Sequence, residues 1–301
     1  MAVYVNTNVS SLNGQRFLNN VQSQLNTTYN RLSSGLRINS AKDDAAGLQI
    51  SSRLTTQING LNQGNRNASD GIALVQTIEG SLDEMTNMLQ KVRTLAVQAA
   101  NGTNTAEDRT ALKVEASNTI TEYQRFVALT KFGGKLILNG NQPGNIYGNA
   151  QGGADGKLTL QVGANKGDTI DITVKNFALS VVAQNHADFL KINAGKTAGV
   201  TWVLLDDHES SSKVISGIDG ILNVVNAARA DLGAVMNRLE SSIRNQSNVA
   251  ANQSDARSRI RDADFAEESA NLSQQSIIQQ AATSMLMQAN TRPQLGLSLL
   301  S

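Results

Sequence analysis

The densest group of potential metal ligands in the chain is the run Asp206, Asp207, His208 and Glu209. A metal site brings its ligands to one point with a defined geometry. Consecutive residues on a strand point to opposite faces, and consecutive residues on a loop rarely converge on one ion. We therefore expect this run to be a solvated loop that holds no metal.

The remaining side chains give little support to catalysis. The chain has no cysteine and only two histidines, His186 and His208, which excludes thiol nucleophiles, thiolate metal sites and disulfides. The two histidines are too far apart for an H-E-x-x-H motif, and the sequence from Gly163 to Asp168 is typical of a hairpin turn rather than a phosphate loop. We expect a protein that is not an enzyme and has no cofactor.

Charge and hydropathy exclude two further classes of partner. The chain of 301 residues has a formal net charge of +1, so no field attracts nucleic acid or an anionic membrane. No apolar run approaches the roughly 20 residues of a membrane-spanning helix, and residues 1–8 lack the regions of a cleaved signal peptide. The sequence predicts a protein that is cytoplasmic or is exported without a cleaved signal, with no membrane insertion.

The sequence pattern predicts a mainly helical chain, so helices must position any functional surface. Apolar residues alternate at spacings of three and four, as in a coiled-coil seam, at Val75, Ile78, Leu82, Met85, Leu89, Val92, Ala96 and Ala99. The pattern predicts one helix from near Ser40 to Ala100, with Ser40 and Asp43 as a capping box. Gly60, Gly64 and Gly71 leave open a break into two shorter helices.

Further helical patterns lie on both sides of this segment. One seam ends at Gly35, a residue suited to a left-handed helix cap, and consists of Leu18, Val21, Leu25, Thr28 and Leu32. Another extends to about Thr130 and contains Ala116, Ile120, Tyr123 and Val127. Helical spacing returns in Ile218, Ile221, Val225, Ala228, Leu232, Val235 and Leu239, and again in Ile278, Ala282, Met285 and Ala289.

The middle of the chain has a different pattern. Leu158, Leu160 and Val162 alternate with polar residues, as do Ile170, Ile172 and Val174, which predicts a two-stranded hairpin. The predicted fold is mainly α: terminal helices paired as a coiled coil, a long helical bundle, and a small β-hairpin region inserted in the middle. Two single helices cannot bury their seams by pairing once, so we expect an assembly seam that needs other chains, formed by Leu18, Val21, Leu25, Leu32, Ile278 and Met285.

Short segments at both ends of the chain resemble the signatures of bacterial flagellins. At the N-terminal end these are residues 6–13, 31–47 and 95–102. At the C-terminal end they are residues 229–234, 237–240 and 262–267, followed by a Leu-rich tail. The resemblance covers about residues 3–140, 155–176 and 214–300, and carries no information about residues 177–213.

The resemblance implies a secreted structural subunit that polymerises into the extracellular filament of the bacterial flagellum and serves swimming motility. It implies an inner coiled-coil domain of residues 1–42 and 258–301, which lines the filament channel. Residues 43–176 and 214–257 would form a helical bundle with a small β part, and residues 177–213 a short outer insertion. Export would occur unfolded through a type III apparatus, a route compatible with the missing cysteines.

The same resemblance implies several partners. The first is the chain itself, in a helical homopolymer. A dedicated export chaperone would bind the apolar tail of Leu295, Leu297, Leu299 and Leu300, and a filament cap would meet the growing polymer. An innate immune receptor would recognise a patch formed by Gln90, Lys91, Arg93, Leu95 and Glu115.

Two alternatives come from other classes of protein. A hook-associated junction protein shares the terminal helices and differs mainly in its middle region. A cytoplasmic coiled-coil adaptor would also show seams, but it would usually carry many Glu and Lys residues beside them, whereas this chain is rich in Asn, Gln, Ser and Thr.

Overall fold

A computed structural model of the chain describes residues 7–140, 144–147, 155–182, 205 and 207–298. The helices are α1 (Val9–Ser34), α2 (Ala45–Ala99), α3 (Ala106–Leu129), α4 (Leu179–Val182), α5 (His208–Arg261) and α6 (Phe265–Ser298). The strands are β1 (Lys131–Phe132), β2 (Lys135–Leu136), β3 (Gly156–Gln161) and β4 (Thr169–Val174). The predicted mainly α fold with paired terminal helices and a small hairpin is confirmed. No helix in these ranges is long and apolar enough to cross a membrane.

The chain divides into two compact units. The first comprises Met1–Asn59 and Val249–Ser301, and the second comprises Gly60–Asn248. In the first unit α1 packs against α6 in the antiparallel direction, because Asn8 contacts Ala289 whereas Arg31 contacts Glu268. The second unit contains most of the long apolar seam, α3 and both hairpins.

Helix α1 begins and ends at residues suited to those positions. The side chain of Asn8 accepts a hydrogen bond from the Ser11 backbone N–H at 3.1 Å, which satisfies one of the free donors of the first turn. Gly35 has φ 70° and its N–H donates to the carbonyl oxygen of Arg31 at 2.8 Å. The predicted left-handed cap at Gly35 is therefore confirmed.

Helix α2 begins later than the sequence predicts. Its first turn is capped by Asp44, whose side chain accepts a hydrogen bond from the Gly47 N–H at 2.9 Å. Asp43 instead accepts bonds from the backbone N–H and the hydroxyl of Ser40, at 2.9 and 3.0 Å. Ser40 and Asp43 thus close a separate turn before the helix, and the prediction that they cap α2 was wrong.

Helix α2 is continuous from Ala45 to Ala99, so its glycines do not divide it. They face the β3–β4 hairpin. A Cβ at Gly60 would lie 2.7 Å from the Cβ of Ala164, and a Cβ at Gly71 would collide with the side chain of Leu160. The glycines weaken the helix locally, but they allow the hairpin to approach it closely.

The core of the second unit forms as the seam predicts. All eight seam residues of α2 from Val75 to Ala99 are buried. They belong to one cluster with side chains of α3 and α5, including Ala116, Ile120, Tyr123, Val127, Ile218, Ile221, Val225, Ala228 and Leu232. Tyr123 is buried with its hydroxyl donating to the carbonyl oxygen of Phe177 at 3.1 Å, so its polar end has a partner.

Both hairpins are antiparallel. In the β3–β4 hairpin Leu158 pairs with Ile172 and Leu160 with Ile170, as the alternation predicts, and the turn contains Gly167 at φ 96°. The β1–β2 hairpin turns at Gly133 and Gly134, with φ 56° and 81°. Two successive left-handed residues define the tight turn that matches strand twist, which explains why two glycines serve there.

The acidic run near residue 206 is not a loop where it is described. His208 and Glu209 open helix α5, and the carbonyl oxygen of Asp207 accepts a bond from the Ser211 N–H at 2.9 Å. The expectation of a loop was wrong for His208 and Glu209, because helical hydrogen bonding already begins at Asp207. The expected solvation holds for the described residues of the run, since Asp207, His208 and Glu209 are all exposed. Asp206 and His186 lie outside the described residues, and the described residues contain no metal-binding group of three or more His, Asp or Glu side chains.

The segment predicted as an outer insertion is described only near its two ends. There Phe177, Leu179, Val182 and Leu205 are buried in the same core as the α2 seam. The short helix α4, which the sequence pattern does not predict, lies in this stretch. These residues therefore contribute to the core of the second unit.

Candidate assembly surface of the terminal helices

The predicted seam residues of α1 lie on the face that packs against α6. Val21 and Leu25 are buried, and Leu18 and Leu32 are half-buried. The spacing of three and four along α1 places these side chains on one stripe. The opposing helix supplies Ile278, which is half-buried.

Met285 does not lie on the face of α6 that packs against α1, so its predicted place in a seam with other chains stays a prediction. Its side chain is 72% exposed, whereas the next residue, Leu286, packs on Gly14. A Cβ at Gly14 would lie 3.1 Å from Cδ1 of Leu286, so the two helices approach closely here. The face of α6 that contacts α1 contains Gln275, Gln279, Ala282, Leu286 and Ala289.

Two glutamines take positions in the seam that an apolar pattern cannot identify. The hydroxyl of Thr28, which is buried, donates to Oε1 of Gln275 at 3.2 Å. Nε2 of Gln279 donates to Oε1 of Gln22 at 2.7 Å. Because these polar groups are hydrogen-bonded at the helix contact, they can occupy seam positions. The sequence pattern predicts only apolar side chains at such positions.

An ion pair joins the two helices at one end of their contact. Nη1 of Arg31 lies 2.9 Å from Oε1 of Glu268, and the Glu268 side chain is 8% exposed. Arg31 is in the last turn of α1 and Glu268 in the first turn of α6. Each charge therefore complements the dipole of its own helix. The sequence pattern does not reveal this pair, because a Glu in the first turn of a helix is usually solvated.

Backbone contacts continue beyond the ion pair. The N–H of Ala263 donates to the carbonyl oxygen of Gly35 at 3.0 Å, and the N–H of Arg37 donates to that of Arg261 at 2.7 Å. Leu36 and Asp262 form an isolated antiparallel bridge between these bonds. The segments 31–47 and 262–267, which carry much of the flagellin resemblance, meet at this point.

Large apolar side chains remain exposed on both helices after they pair. On α1 these are Val9, Leu12, Phe17 and Tyr29. On α6 they are Phe265, Ile277, Met285 and Met287. Large apolar side chains left exposed in this number on one pair of helices are typical of a protein that contacts other proteins.

The predicted receptor patch is only partly accessible. Gln90, Lys91, Arg93 and Glu115 are intermediate or exposed in the second unit, but Leu95 is 8% exposed and belongs to the core. Nζ of Lys91 lies 2.8 Å from Oε1 of Glu115. Both patch cations are engaged within the chain, because Arg93 donates to both carboxylate oxygens of Asp219, which raises the pKa of Arg93 above its ordinary value.

The predicted chaperone-binding tail lies at the C-terminal end of the described residues. Leu299 and Leu300 lie outside the described residues, and Leu295 and Leu297 are described only as part of helix α6. The place of these four side chains stays a prediction.

Family models match both ends of the chain. Residues 5–143 match the bacterial flagellin N-terminal helical region, and residues 215–300 match the bacterial flagellin C-terminal helical region. Together these ranges cover more than half of the sequence. The N-terminal match contains α1 and the C-terminal match contains α6, and these two helices pack against each other in the first unit.

Curated flagellins are similar over their whole length. The chain is 38% identical to Flagellin A of Vibrio cholerae over an alignment of 378 positions, and 36% identical to Polar flagellin C of Vibrio parahaemolyticus over an alignment of 383 positions, with full coverage of both chains in each case. A solved structure of a putative flagellar hook-associated protein from Vibrio parahaemolyticus shares the fold, with a TM-score of 0.57. It is only 16% identical, over 73% of this chain and 100% of that chain, so the hook-associated alternative is less well supported. The chain belongs to the bacterial flagellin family.

Proposed function

We propose that this flagellin polymerises through its terminal helices, α1 and α6, and that this contact drives filament assembly. As a flagellin, the chain is a structural subunit of the bacterial flagellar filament and is not an enzyme. Flagellin homologues form that filament outside the cell. The observation that supports the proposed contact is the set of apolar side chains that α1 and α6 leave exposed after they pair.

The free energy available from these side chains is large enough to drive association. Full burial of one Val, Leu, Ile, Phe or Met side chain contributes about 1.5–3 kcal/mol. Among the described residues, the two helices expose seven such side chains and Tyr29, each already partly buried. A polymer contact that covered half of them would gain up to about 10 kcal/mol before the entropy of association is subtracted.

A charge placed on this surface tests the proposal. Ile277→Asp adds a carboxylate where the side chain is 67% exposed, and we expect it to abolish polymerisation of purified chains, as seen in negative-stain images. Ser273→Asp is the matched control, since Ser273 is also exposed and lies one turn away on the same helix. Filaments from Ile277→Asp as abundant as those from the control would contradict the role of this surface.

The domain arrangement and export route belong to the same proposal. Residues 1–42 and 258–301 would form the inner domain around the channel, and residues 43–176 and 214–257 the bundle. Residues 177–213 would form an outer insertion whose two ends, at Phe177 and Leu205, pack in the core. Export would occur unfolded through the flagellar type III apparatus. N-terminal sequencing of protein from sheared filaments tests the route, and loss of about 20 residues to a signal peptidase would contradict it.

The proposed partners follow from family membership. An export chaperone would bind the tail containing Leu295, Leu297, Leu299 and Leu300. Removal of the last ten residues should abolish its co-purification with the chain, and unchanged binding would exclude the tail.

A filament cap would contact the growing end, and an innate immune receptor would bind the exposed part of the patch at Gln90, Lys91, Arg93 and Glu115.

A further inference from the structure

We propose that the Arg31–Glu268 ion pair fixes the register in which α1 pairs with α6, and so fixes the geometry in which each subunit enters the polymer. The first part concerns contacts within one chain. The second part rests on the proposed assembly through these helices.

The apolar contacts alone do not specify one register. Their spacing repeats about every seven residues on both helices, so a slip by one heptad still places Leu, Val, Ala and Ile side chains against one another. Such a slip moves the helices by about 10 Å, at 1.5 Å per residue. A subunit in the slipped register would present its terminal surface in the wrong place.

The charges are arranged so that only one register pairs them. Helix α1 contains two charged residues, Arg16 and Arg31, and no acid. Between Phe265 and Thr291 helix α6 contains two charged residues, Glu267 and Glu268, and no base. A one-heptad slip in either direction separates Arg31 from Glu268 and brings no other base to this carboxylate.

Burial makes the loss of this partner costly. The Glu268 side chain is 8% exposed, and Oε2 has no hydrogen-bond partner among the described residues, so Nη1 of Arg31 is the cation on which the carboxylate depends. An unpaired buried charge destabilises a fold strongly, whereas the pair itself adds little net stability. An interaction that is costly to break but adds little net stability selects one register over the others. A single polar residue in a coiled-coil seam acts in the same way.

The same arrangement discriminates between partners. Two α1 helices from different chains would bring no acidic side chain to Arg31, because α1 has none, and two α6 helices would bring no base to Glu268 along residues 265–291. Pairing of α1 with α6 is the combination that neutralises the buried carboxylate. The ion pair therefore favours this pairing when unfolded chains fold side by side at a filament end.

Engineered cysteines can measure the register directly, because the chain has none of its own. A Cβ at Gly14 would lie 3.8 Å from the Cβ of Leu286, close to the mean Cβ separation of about 3.8 Å in disulfides. Gly14→Cys with Leu286→Cys reports the observed register, and Gly14→Cys with Gln279→Cys reports a slip of one heptad. The readout is the ratio of the two disulfide yields, measured in separate chains under the same oxidation.

In chains that keep Arg31 and Glu268 we expect the first disulfide to exceed the second at least tenfold. Arg31→Met with Glu268→Leu should bring the ratio to within about threefold of unity. Arg31→Lys should keep the original ratio, because the contact uses a single nitrogen and a lysine ammonium can supply it. A structural role without register control would leave the ratio unchanged in all these variants.

The competing determinants are the backbone contact between Gly35 and Ala263 and the hydrogen bonds that Gln275 and Gln279 make with α1. An unchanged ratio in Arg31→Met with Glu268→Leu would assign the register to those contacts and overturn the proposal. A relocation variant, Gln24→Arg with Arg31→Gln, moves the cation by one heptad and should reverse the ratio, and an unchanged ratio would again refute the proposal. The ratio is measured in free chains, where oxidation traps even transient pairing of α1 with α6. It therefore compares the two registers whether or not these helices are stably folded in free chains, and whether or not the chain polymerises through them.

Discussion

Gly64 and Val162 lie so close together that helix α2 has no room for a side chain at this position. A Cβ at Gly64 would lie 2.8 Å from the carbonyl carbon of Val162 and closer still to its oxygen. Both neighbouring atoms belong to the backbone, so neither can rotate away. The hairpin therefore depends on a glycine that, by its helix propensity alone, weakens α2.

Gly64→Ala should consequently destabilise the chain, although alanine is the better helix former. The hairpin would have to move, and overpacking of this kind costs about 1–3 kcal/mol. Gly80→Ala is the matched control, because Gly80 lies on the same helix with no atom within 4 Å of its Cβ position. It should stabilise the chain by about 0.4–1 kcal/mol. Urea unfolding measures both changes, and an increase in stability for Gly64→Ala would contradict the close approach.

Leu25→Asp should block polymerisation and leave the unfolding of free chains nearly unchanged. Leu25 is buried between α1 and α6, but we expect this single pair of helices to be marginally stable without neighbouring subunits, so the substitution removes contacts that add little stability to free chains. The unfolding midpoint should move by less than about 2 °C, where 1 kcal/mol corresponds to about 2–4 °C. Ser23→Asp, an exposed position on the same helix, should still polymerise.

Hydrogen exchange should separate the two parts of the chain. Amides in residues 1–40 and 260–301 should exchange fast in depolymerised chains and slowly in filaments, because their helices gain neighbours on assembly. Amides of α2 from Val75 to Ala99 should be protected in both states, since that seam is already buried within one chain. Strong protection of both ends in free chains would show that assembly does not order them.

Tyr123→Phe should lower the stability of the second unit at neutral pH. The carbonyl oxygen of Phe177 would lose its donor in a buried place, which costs about 1–3 kcal/mol. Burial raises the pKa of Tyr123 above its ordinary value of 10.0, so its contribution is complete below pH 10 and declines as the pH rises further.

The stability difference between the parent chain and Tyr123→Phe should therefore shrink above pH 10. Thermal unfolding at pH 7 and at pH 10.5 measures it. Tyr29→Phe, at a side chain 56% exposed, should leave the midpoint unchanged at pH 7. A constant difference across the two pH values would show that the buried phenol does not govern alkaline stability.

Lys91→Ala and Leu95→Ala should affect the proposed receptor binding for different reasons, because the first removes an exposed charge and the second destabilises the core. Lys91 is exposed, and its pair with Glu115 is a surface ion pair worth less than about 1 kcal/mol, so Lys91→Ala should weaken receptor binding without changing the unfolding midpoint. Leu95 belongs to the core, and Leu95→Ala should cost about 2–5 kcal/mol of stability. Binding titrations paired with unfolding curves separate the two effects.

The sequence predicts α2 well because its seam is entirely apolar and local. The pattern from Val75 to Ala99 requires no information beyond helical periodicity, and its residues are buried as expected. The same pattern does not identify the face of α6 that packs on α1, because that face includes Gln275 and Gln279. Apolar periodicity cannot recognise a seam position that is satisfied by a hydrogen bond from the opposite helix.

Contacts between distant parts of the chain were the least predictable. Gly64 looks like a weak point in a helix until Val162, which lies about a hundred positions away, is placed against it. Glu268 looks like a surface charge until Arg31 is placed beside it. Asp43 and Asp44 are adjacent and chemically identical, so only the backbone geometry shows which of them caps α2.

The stretch of α6 from residue 269 to residue 291 carries no ionisable side chain. Contacts made along it involve only apolar and uncharged polar groups, which neither titrate nor attract counter-ions. Surface electrostatics are screened within about 10 Å at 0.1 M salt, but contacts of this kind are not weakened by such screening. Subunit contacts along this stretch should therefore have the same strength at low and at high salt concentration.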